Sequence, residues 1–184
     1  MLHPTHDHEE TDLNDTVTTP EAAATETPRE QFVLQKIYVK DISFEAPNTP
    51  QVFTEKWEPK THLEIGTKGM VLGQNNYEVG LTVTVTVTIN DKTAFLVEVH
   101  QAGIFALVGF EAGKLDYMLN AYCPSILFPY LREAVSDVVT RGGFQPLLLA
   151  PVNFDAYYEQ RVRQMQAQQN AGTAEAPTNG AAPN

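Results

Sequence analysis

Two glycine-containing stretches come nearest to a phosphate-binding loop, the motif that would hold a nucleotide. GFEAGKL (109–115) is one residue short of the spacing GxxxxGK[ST], and Leu115 stands where the motif needs a hydroxyl group to hold magnesium. GTKGMVLG (66–73) has glycines but lacks the strand–loop–helix context. We therefore expect no nucleotide-binding site and no cofactor.

A thiol and two histidines are the candidates for covalent chemistry. Cys123 precedes a proline at the start of a predicted helix, where the helix dipole would favour the thiolate, and His62 or His100 could serve as a base. A lone cysteine among apolar residues is more often a buried packing residue. We expect that the protein is not an enzyme, and an enzyme that uses Cys123 remains a rival hypothesis.

Histidines near the N-terminus and two carboxylates complete the list of reactive side chains. His3, His6 and His8 could bind a divalent metal weakly, but they form no closed ligand set, so we expect no specific metal site. Asp41 and Glu45 lie four residues apart on one face of a predicted strand, which separates their Cα atoms by roughly 13 Å. That distance is too long for an acid/base pair acting on one bond. These carboxylates indicate a binding surface or a solvated edge.

Much of the net charge of −11 lies in the two ends of the chain. Residues 1–29 carry seven acidic residues and one arginine, and residues 164–184 carry one glutamate and no base. Both segments are poor in large apolar residues, so we expect disordered tails that flank a single domain over residues 30–163. An acidic chain is poorly suited to nucleic acids and anionic membranes, which need clustered Lys and Arg.

The sequence also indicates a compartment. It contains no basic segment followed by an apolar one, which would indicate a secretory signal, and no apolar run near the ~20 residues that cross a bilayer. A single cysteine excludes an internal disulfide and fits a reducing environment. We therefore expect a cytoplasmic protein that does not insert into the membrane.

Strands are predicted in the first two thirds of the chain. The stretch VGLTVTVTVTI (79–89) alternates large apolar residues with glycine or threonine, which predicts a strand with one buried and one half-polar face. Further strands are predicted at 32–45 and 93–109, and a weaker pattern predicts one at 61–72. A turn at Asn90-Asp91 predicts a hairpin between the last two strands.

Two helices are predicted after the strands. Residues 124–143 have apolar residues at helical spacing, with Pro124 in the first turn, whereas Pro129 should kink the helix or delay its start. The apolar stripe in residues 153–166 predicts a second helix, with Asn153 as its N-cap. Strands followed by helices predict an α+β fold, an antiparallel sheet with helices on one face.

Five stretches resemble, in their order and spacing, the signature segments of SecB, a family of bacterial protein-export chaperones. They are KDISFEAPN (40–48), KTAFLVEVHQAGIF (92–105), AYCPSILFPYLRE (121–133), RGGF (141–144) and LAPVNFDA (149–156). The N-terminal segment lies outside the resemblance and is longer than the family usually has.

The resemblance implies a fold, an assembly and an activity. The fold is a four-stranded antiparallel sheet with the C-terminal helices packed on one face, and the assembly is a homotetramer built as a dimer of dimers. The activity is that of an ATP-independent chaperone that uses no metal, binds unfolded precursor proteins in the cytoplasm and keeps them translocation-competent. Such a chaperone delivers its clients to the SecA ATPase for export.

The resemblance also implies roles for residues that match the family's motifs. The family's SecA-binding positions fall on Asp41, Glu45, Leu96 and Glu98. Its assembly positions fall on Val97, Val99 and Gln101, and Val97 stands where a cysteine is common in the family. The half-polar sheet face is therefore expected to dock SecA.

The client-binding groove is predicted from the residues. Unfolded chains offer apolar segments without a fixed sequence, so their receptor must be a long apolar groove. The proline-rich connection at 46–60 carries Phe53 and Trp57, which we expect to form a wall beside the sheet and the second helix, unless they only cap the core. An alternative function is a β-rich binding module for one folded partner or a small ligand, which would be selective rather than indifferent to client sequence.

Overall fold

The computed structural model describes the backbone of residues 29–173 and the side chains of residues 29–168. The strands are β1 (Gln31–Glu45), β2 (Lys60–Gly73), β3 (Asn76–Ile89) and β4 (Lys92–Val108). The helices are α1 (Ala112–Tyr117), which runs into a π-helical turn (Met118–Tyr122), then α2 (Cys123–Arg141) and α3 (Phe154–Thr173). Residues 1–28 of the predicted N-terminal tail and residues 174–184 lie outside the described part of the chain.

The strands form one antiparallel sheet in the order β1-β4-β3-β2. Consecutive hairpins join β2 to β3 and β3 to β4, and β1 pairs with β4 on the other side. Asn90 and Asp91 have φ values of 50° and 59°, as a two-residue hairpin turn of type I′ requires. The predicted hairpin is confirmed, and β1 and β2 are the two edge strands.

The core lies between one sheet face and helix α2. Along β3, each residue of the apolar series from Val79 to Ile89 is buried, whereas the threonines between them are half-buried on the opposite face. Helix α2 packs on β4, β3 and β1 through its apolar face, to which Leu127, Leu131 and Val135 belong. The helices therefore cover one face, here called the inner face, and the opposite face is called the outer face.

The helices differ from the sequence prediction in three ways. Helix α1 and the π-helical turn precede α2 and were not predicted. Helix α2 begins at Cys123 and runs through Pro129, so the expected delay of the helix start is wrong. The helix is already formed before Pro129, and burial of the apolar face of α2 favours its continuation past the proline. Helix α3 continues to Thr173, so the predicted domain boundary at 163 falls inside it. No helix within residues 29–173 is long and apolar enough to cross a membrane.

Helix α2 ends at two glycines, as predicted, and each glycine has a separate reason. A Cβ atom on Gly142 would lie 2.2 Å from Cζ of Phe44, so the ring of Phe44 occupies the space of a side chain. Gly143 has a φ of +84°, a left-handed conformation that favours glycine at the end of a helix. The two glycines therefore allow the chain to turn at the end of α2 while its backbone lies against the ring of Phe44.

Candidate partner-binding surfaces

The outer face carries the four residues that were predicted to bind SecA. The register pairs Glu45 with Leu96, Ser43 with Glu98, and Asp41 with His100, on the neighbouring strands β1 and β4. Asp41 and Glu45 are exposed, whereas Leu96 and Glu98 are half-buried. The structure thus places the four predicted residues on one face of two adjacent strands, with Leu96 opposite Glu45 and with Glu98 between Leu96 and the position opposite Asp41. The acidic patch is defined as Asp41, Glu45, Leu96 and Glu98.

The carboxylates of the acidic patch differ in the hydrogen bonds and ion pairs that they form. Glu98 accepts a hydrogen bond from the Thr84 hydroxyl at 2.7 Å, and its other oxygen lies 3.2 Å from Nε2 of His100. Within residues 29–168, neither Asp41 nor Glu45 takes part in an ion pair. These two carboxylates are free to pair with a cationic partner, while Glu98 is already oriented. His100 was not predicted to belong to this surface.

A second surface is formed by three aromatic residues beyond the other face of the sheet. Phe53 and Trp57 are 52% and 40% exposed, and their rings lie 5.0 Å and 6.0 Å from the ring of buried Phe144. Phe144 in turn packs on Phe95 of the core at 4.8 Å. The aromatic cluster is defined as Phe53, Trp57 and Phe144, and it borders a shallow cavity of about 160 Å³.

The aromatic cluster adds a residue to the predicted client wall. Phe53 and Trp57 lie against the segment that follows α2, where Phe144 supplies the aromatic surface on which they stack. About half of each ring remains open to solvent, and its role in client binding stays a prediction. Phe144 was missed, and only its place in the segment RGGF (141–144) signalled its importance.

The residues that were predicted to lie at an oligomer interface occupy the protomer core. Val97 and Val99 are 0% exposed and Gln101 is 3% exposed in a single chain. They belong to β4, on which α2 packs, so their side chains cannot touch a second subunit directly. Their role in assembly stays a prediction. These residues could affect assembly only by setting the position of α2, which packs on them.

The thiol has the environment of a packing residue. Cys123 is fully buried, and burial raises the pKa of its thiol to about 12, which opposes formation of a thiolate. His62 and His100 lie on the outer face of the sheet, whereas Cys123 lies in the core on the inner side. Within residues 29–168, no group of three or more His, Cys, Asp or Glu side chains could hold a metal ion.

The fold is of the α+β class, with an open, half-polar sheet face and a partly exposed aromatic cluster, features that are typical of a binding protein. The profile of the family described as Preprotein translocase subunit SecB matches residues 25–165. The chain belongs to the SecB family, and it is a protein-export chaperone.

Relatives agree with this assignment, and a solved structure has a similar fold. The chain is 55% identical to Protein-export protein SecB of Methylococcus capsulatus over 146 residues, which cover 79% of this chain and 94% of the relative. It is 54% identical to Protein-export protein SecB of Legionella pneumophila over 136 residues, covering 74% and 84% of the two chains. A SecB-like chaperone of Mycobacterium tuberculosis, solved in complex with an antitoxin peptide, has a similar fold, with a TM-score of 0.55 and 16% identity. That likeness covers 66% of this chain and 90% of the other.

Proposed function

We propose that this protein is an ATP-independent chaperone of the cytoplasm that binds unfolded precursor proteins, keeps them translocation-competent and delivers them to the SecA ATPase. The observation that carries the proposal is the arrangement of its two surfaces. The acidic patch is on the outer face, whereas Phe144 of the aromatic cluster packs on Phe95, whose side chain belongs to the inner face. Client and SecA can therefore be held at the same time without competing for one surface.

The client surface is proposed to begin at the aromatic cluster. Phe53 and Trp57 offer open aromatic area beside a cavity, which suits apolar segments of any sequence. The SecB-like chaperone of Mycobacterium tuberculosis binds a peptide, and its fold is similar to that of this chain. Binding by apolar area requires neither ATP nor a catalytic group, in agreement with a chaperone that does no covalent chemistry.

The acidic patch is proposed as the SecA-docking surface. Asp41 and Glu45, which take part in no ion pair within residues 29–168, produce a negative field together with Glu98, and Leu96 adds an apolar contact opposite Glu45. Such a field should attract a basic segment of SecA, raising the encounter rate more than the affinity, and its effect should weaken with salt.

Charge reversal tests the docking proposal. Asp41→Lys or Glu98→Lys should leave the fold and client binding intact but lower the affinity for SecA by about thirtyfold if the contact is desolvated, and by less at the rim. The control is Glu159→Lys, an equal charge change on exposed α3. The proposal fails if titration at low and high salt gives the same SecA affinity for both patch variants as for the wild type.

A homotetramer, arranged as a dimer of dimers, is proposed for the assembly. Edge strand β1 presents Val39 and Ile42, which are 47% and 42% exposed, and a free strand edge with apolar side chains favours pairing with another chain. Val39→Asp should therefore dissociate the assembly. Light scattering of the wild type should give about 80 kDa, from four chains of 20.4 kDa. A monomer at micromolar concentration would contradict this proposal.

A further inference from the structure

Strand β1 contains two positions where one residue has no partner on β4. Leu34 pairs with Phe105 and Lys36 with Ile104, which leaves Gln35 unpaired. In the same way Val39 pairs with Gln101 and Asp41 with His100, which leaves Lys40 unpaired. Both are β-bulges, and each one shifts by one residue the alternation of side chains between the two faces of the sheet.

The second bulge decides which face carries the carboxylates. Tyr38 points to the outer face, so strict alternation would send Asp41 to the inner face and Ile42 to the outer face. Because Lys40 is inserted, Asp41 faces outward and pairs with His100, while Ile42 pairs with core residue Val99. Without this bulge, the β1 half of the acidic patch would face the helices.

The inserted lysine is tied to a strand that is two places away in the sheet. Nζ of Lys40 lies 2.9 Å from both carboxylate oxygens of Glu78 on β3, and the Tyr38 hydroxyl donates a hydrogen bond to the same carboxylate. Both contacts reach across β4, where Tyr38 pairs with the small residue Ala102. Glu78 is only 7% exposed, so the ion pair is largely shielded from water on one side.

The protonation states agree with a tight cluster. The Tyr38 hydroxyl and the Lys40 ammonium group lower the pKa of Glu78, and the hydrogen bond to Glu78 raises the pKa of Tyr38 to about 12. The cluster therefore stays ionised at Glu78 and protonated at Tyr38 over the physiological range.

We propose that Lys40 and Glu78 are positioning residues for SecA docking: their ion pair fixes the bulge in β1 and thereby holds Asp41 and Glu45 on the outer face beside Glu98. This inference rests on the proposed docking function. A positioning role and a purely electrostatic role predict opposite effects of removing Lys40 on the affinity for SecA. Lys40 is itself a cation on the face that should attract a basic segment. Its removal alone would strengthen that attraction if only the field mattered.

A cross-link measures the phase of β1 without SecA. Opposite residues of antiparallel strands have Cα atoms about 4.5 to 5.5 Å apart, within the range of a disulfide. Ser43→Cys with Glu98→Cys should therefore form a disulfide in an otherwise wild-type chain, and buried Cys123 should not compete. The same pair should cross-link at least about fivefold less when Lys40→Met and Glu78→Met are added, because β1 without the ion pair no longer holds Ser43 fixed opposite Glu98. An unchanged cross-link yield would overturn the proposal.

SecA titration measures the consequence for docking. The double variant Lys40→Met/Glu78→Met keeps the net charge and leaves no buried charge unpaired, so it should fold and bind client like the wild type. It should nevertheless bind SecA about tenfold more weakly. Lys40→Met alone should also weaken SecA binding, whereas Lys40→Arg, which can keep the ion pair with Glu78, should bind SecA like the wild type. Lys68→Met is the control, because it removes the same charge from the outer face of β2 and leaves the Lys40–Glu78 ion pair in place.

The outcomes separate this inference from the function on which it rests. A wild-type protein that does not bind SecA refutes the docking function, and the cross-link still decides the phase of β1. A wild-type protein that binds SecA, together with a double variant within twofold of its affinity, overturns the positioning role and leaves the docking function standing.

Discussion

Truncation of Phe53 is the most direct perturbation of the proposed client surface. Its ring is 52% exposed and lies 5.0 Å from the Phe144 ring, so part of it packs on the protein and part is open to a client. A phenylalanine contributes about 200 Å² of surface, which leaves about 100 Å² open. At ~25 cal/mol per Å², complete cover by a client would stabilise the complex by about 2.5 kcal/mol, and cover of half that area by ~1.2 kcal/mol. Phe53→Ala should therefore weaken client binding by about eightfold or more.

The single tryptophan of the chain provides the assay, because Trp57 belongs to the same cluster as Phe53. Titration with a chemically unfolded client should shift the fluorescence of Trp57 as its 40% exposed ring is covered. Tyr130→Ala is the control, since Tyr130 is also 52% exposed but lies on α2 outside the aromatic cluster. The aromatic cluster would be refuted as a client site if Phe53→Ala bound the client within twofold of the wild-type affinity. A Trp57 fluorescence that does not change on addition of client would refute it as well.

Two further predictions concern stability. Gly142→Ala should lower the free energy of unfolding by about 1–3 kcal/mol in a urea titration, because its Cβ would lie 2.2 Å from the Phe44 ring. Gly66→Ala, with nothing within 4 Å of its Cβ, should be tolerated, and equal losses in both variants would contradict the packing argument. Glu78 has a lowered pKa in the folded protein, so its contribution to stability is present above its unfolded pKa and is lost as the pH falls through the folded value. Glu78→Gln should accordingly lose less stability than the wild type between pH 7 and pH 3. An identical pH profile would show that the cluster does not stabilise the fold.

The strands show what local sequence determines. The alternation in 79–89 predicted one buried and one half-polar face, and β3 has these faces because period-2 burial needs no information from elsewhere. Asn153 was predicted as an N-cap from its own side chain, and its Oδ1 accepts the Ala156 N–H at 3.0 Å.

Long-range contacts could not be predicted in the same way. The alternation in β1 correctly put Asp41 and Glu45 on one face, but it did not predict the bulge that decides which face this is. The ion pair that we propose to fix this bulge joins Lys40 to Glu78, 38 residues away in the sequence. The stacking of Phe53 on Phe144 likewise joins a loop to a segment after α2, and no local pattern predicts such a pair.

The family's assembly positions illustrate a different limit. The resemblance implied a role in assembly for Val97 and Val99, but a resemblance does not supply the geometry by which a residue would act. Their complete burial in one protomer shows that a residue can influence assembly only through what packs on it. Exposed Val39 on the β1 edge is the more accessible site for a direct subunit contact.

Refolding of a chemically unfolded, slow-folding substrate tests the central claim most directly. The proposed chaperone should delay refolding at stoichiometric amounts, in the absence of ATP, and for substrates of unrelated sequence, because it binds apolar segments rather than a fixed motif. Cys123→Ser should delay refolding equally, since the thiol packs in the core, where burial raises its pKa to about 12. Refolding at the unassisted rate, or delay of only one substrate, would contradict the account and favour a selective binding module.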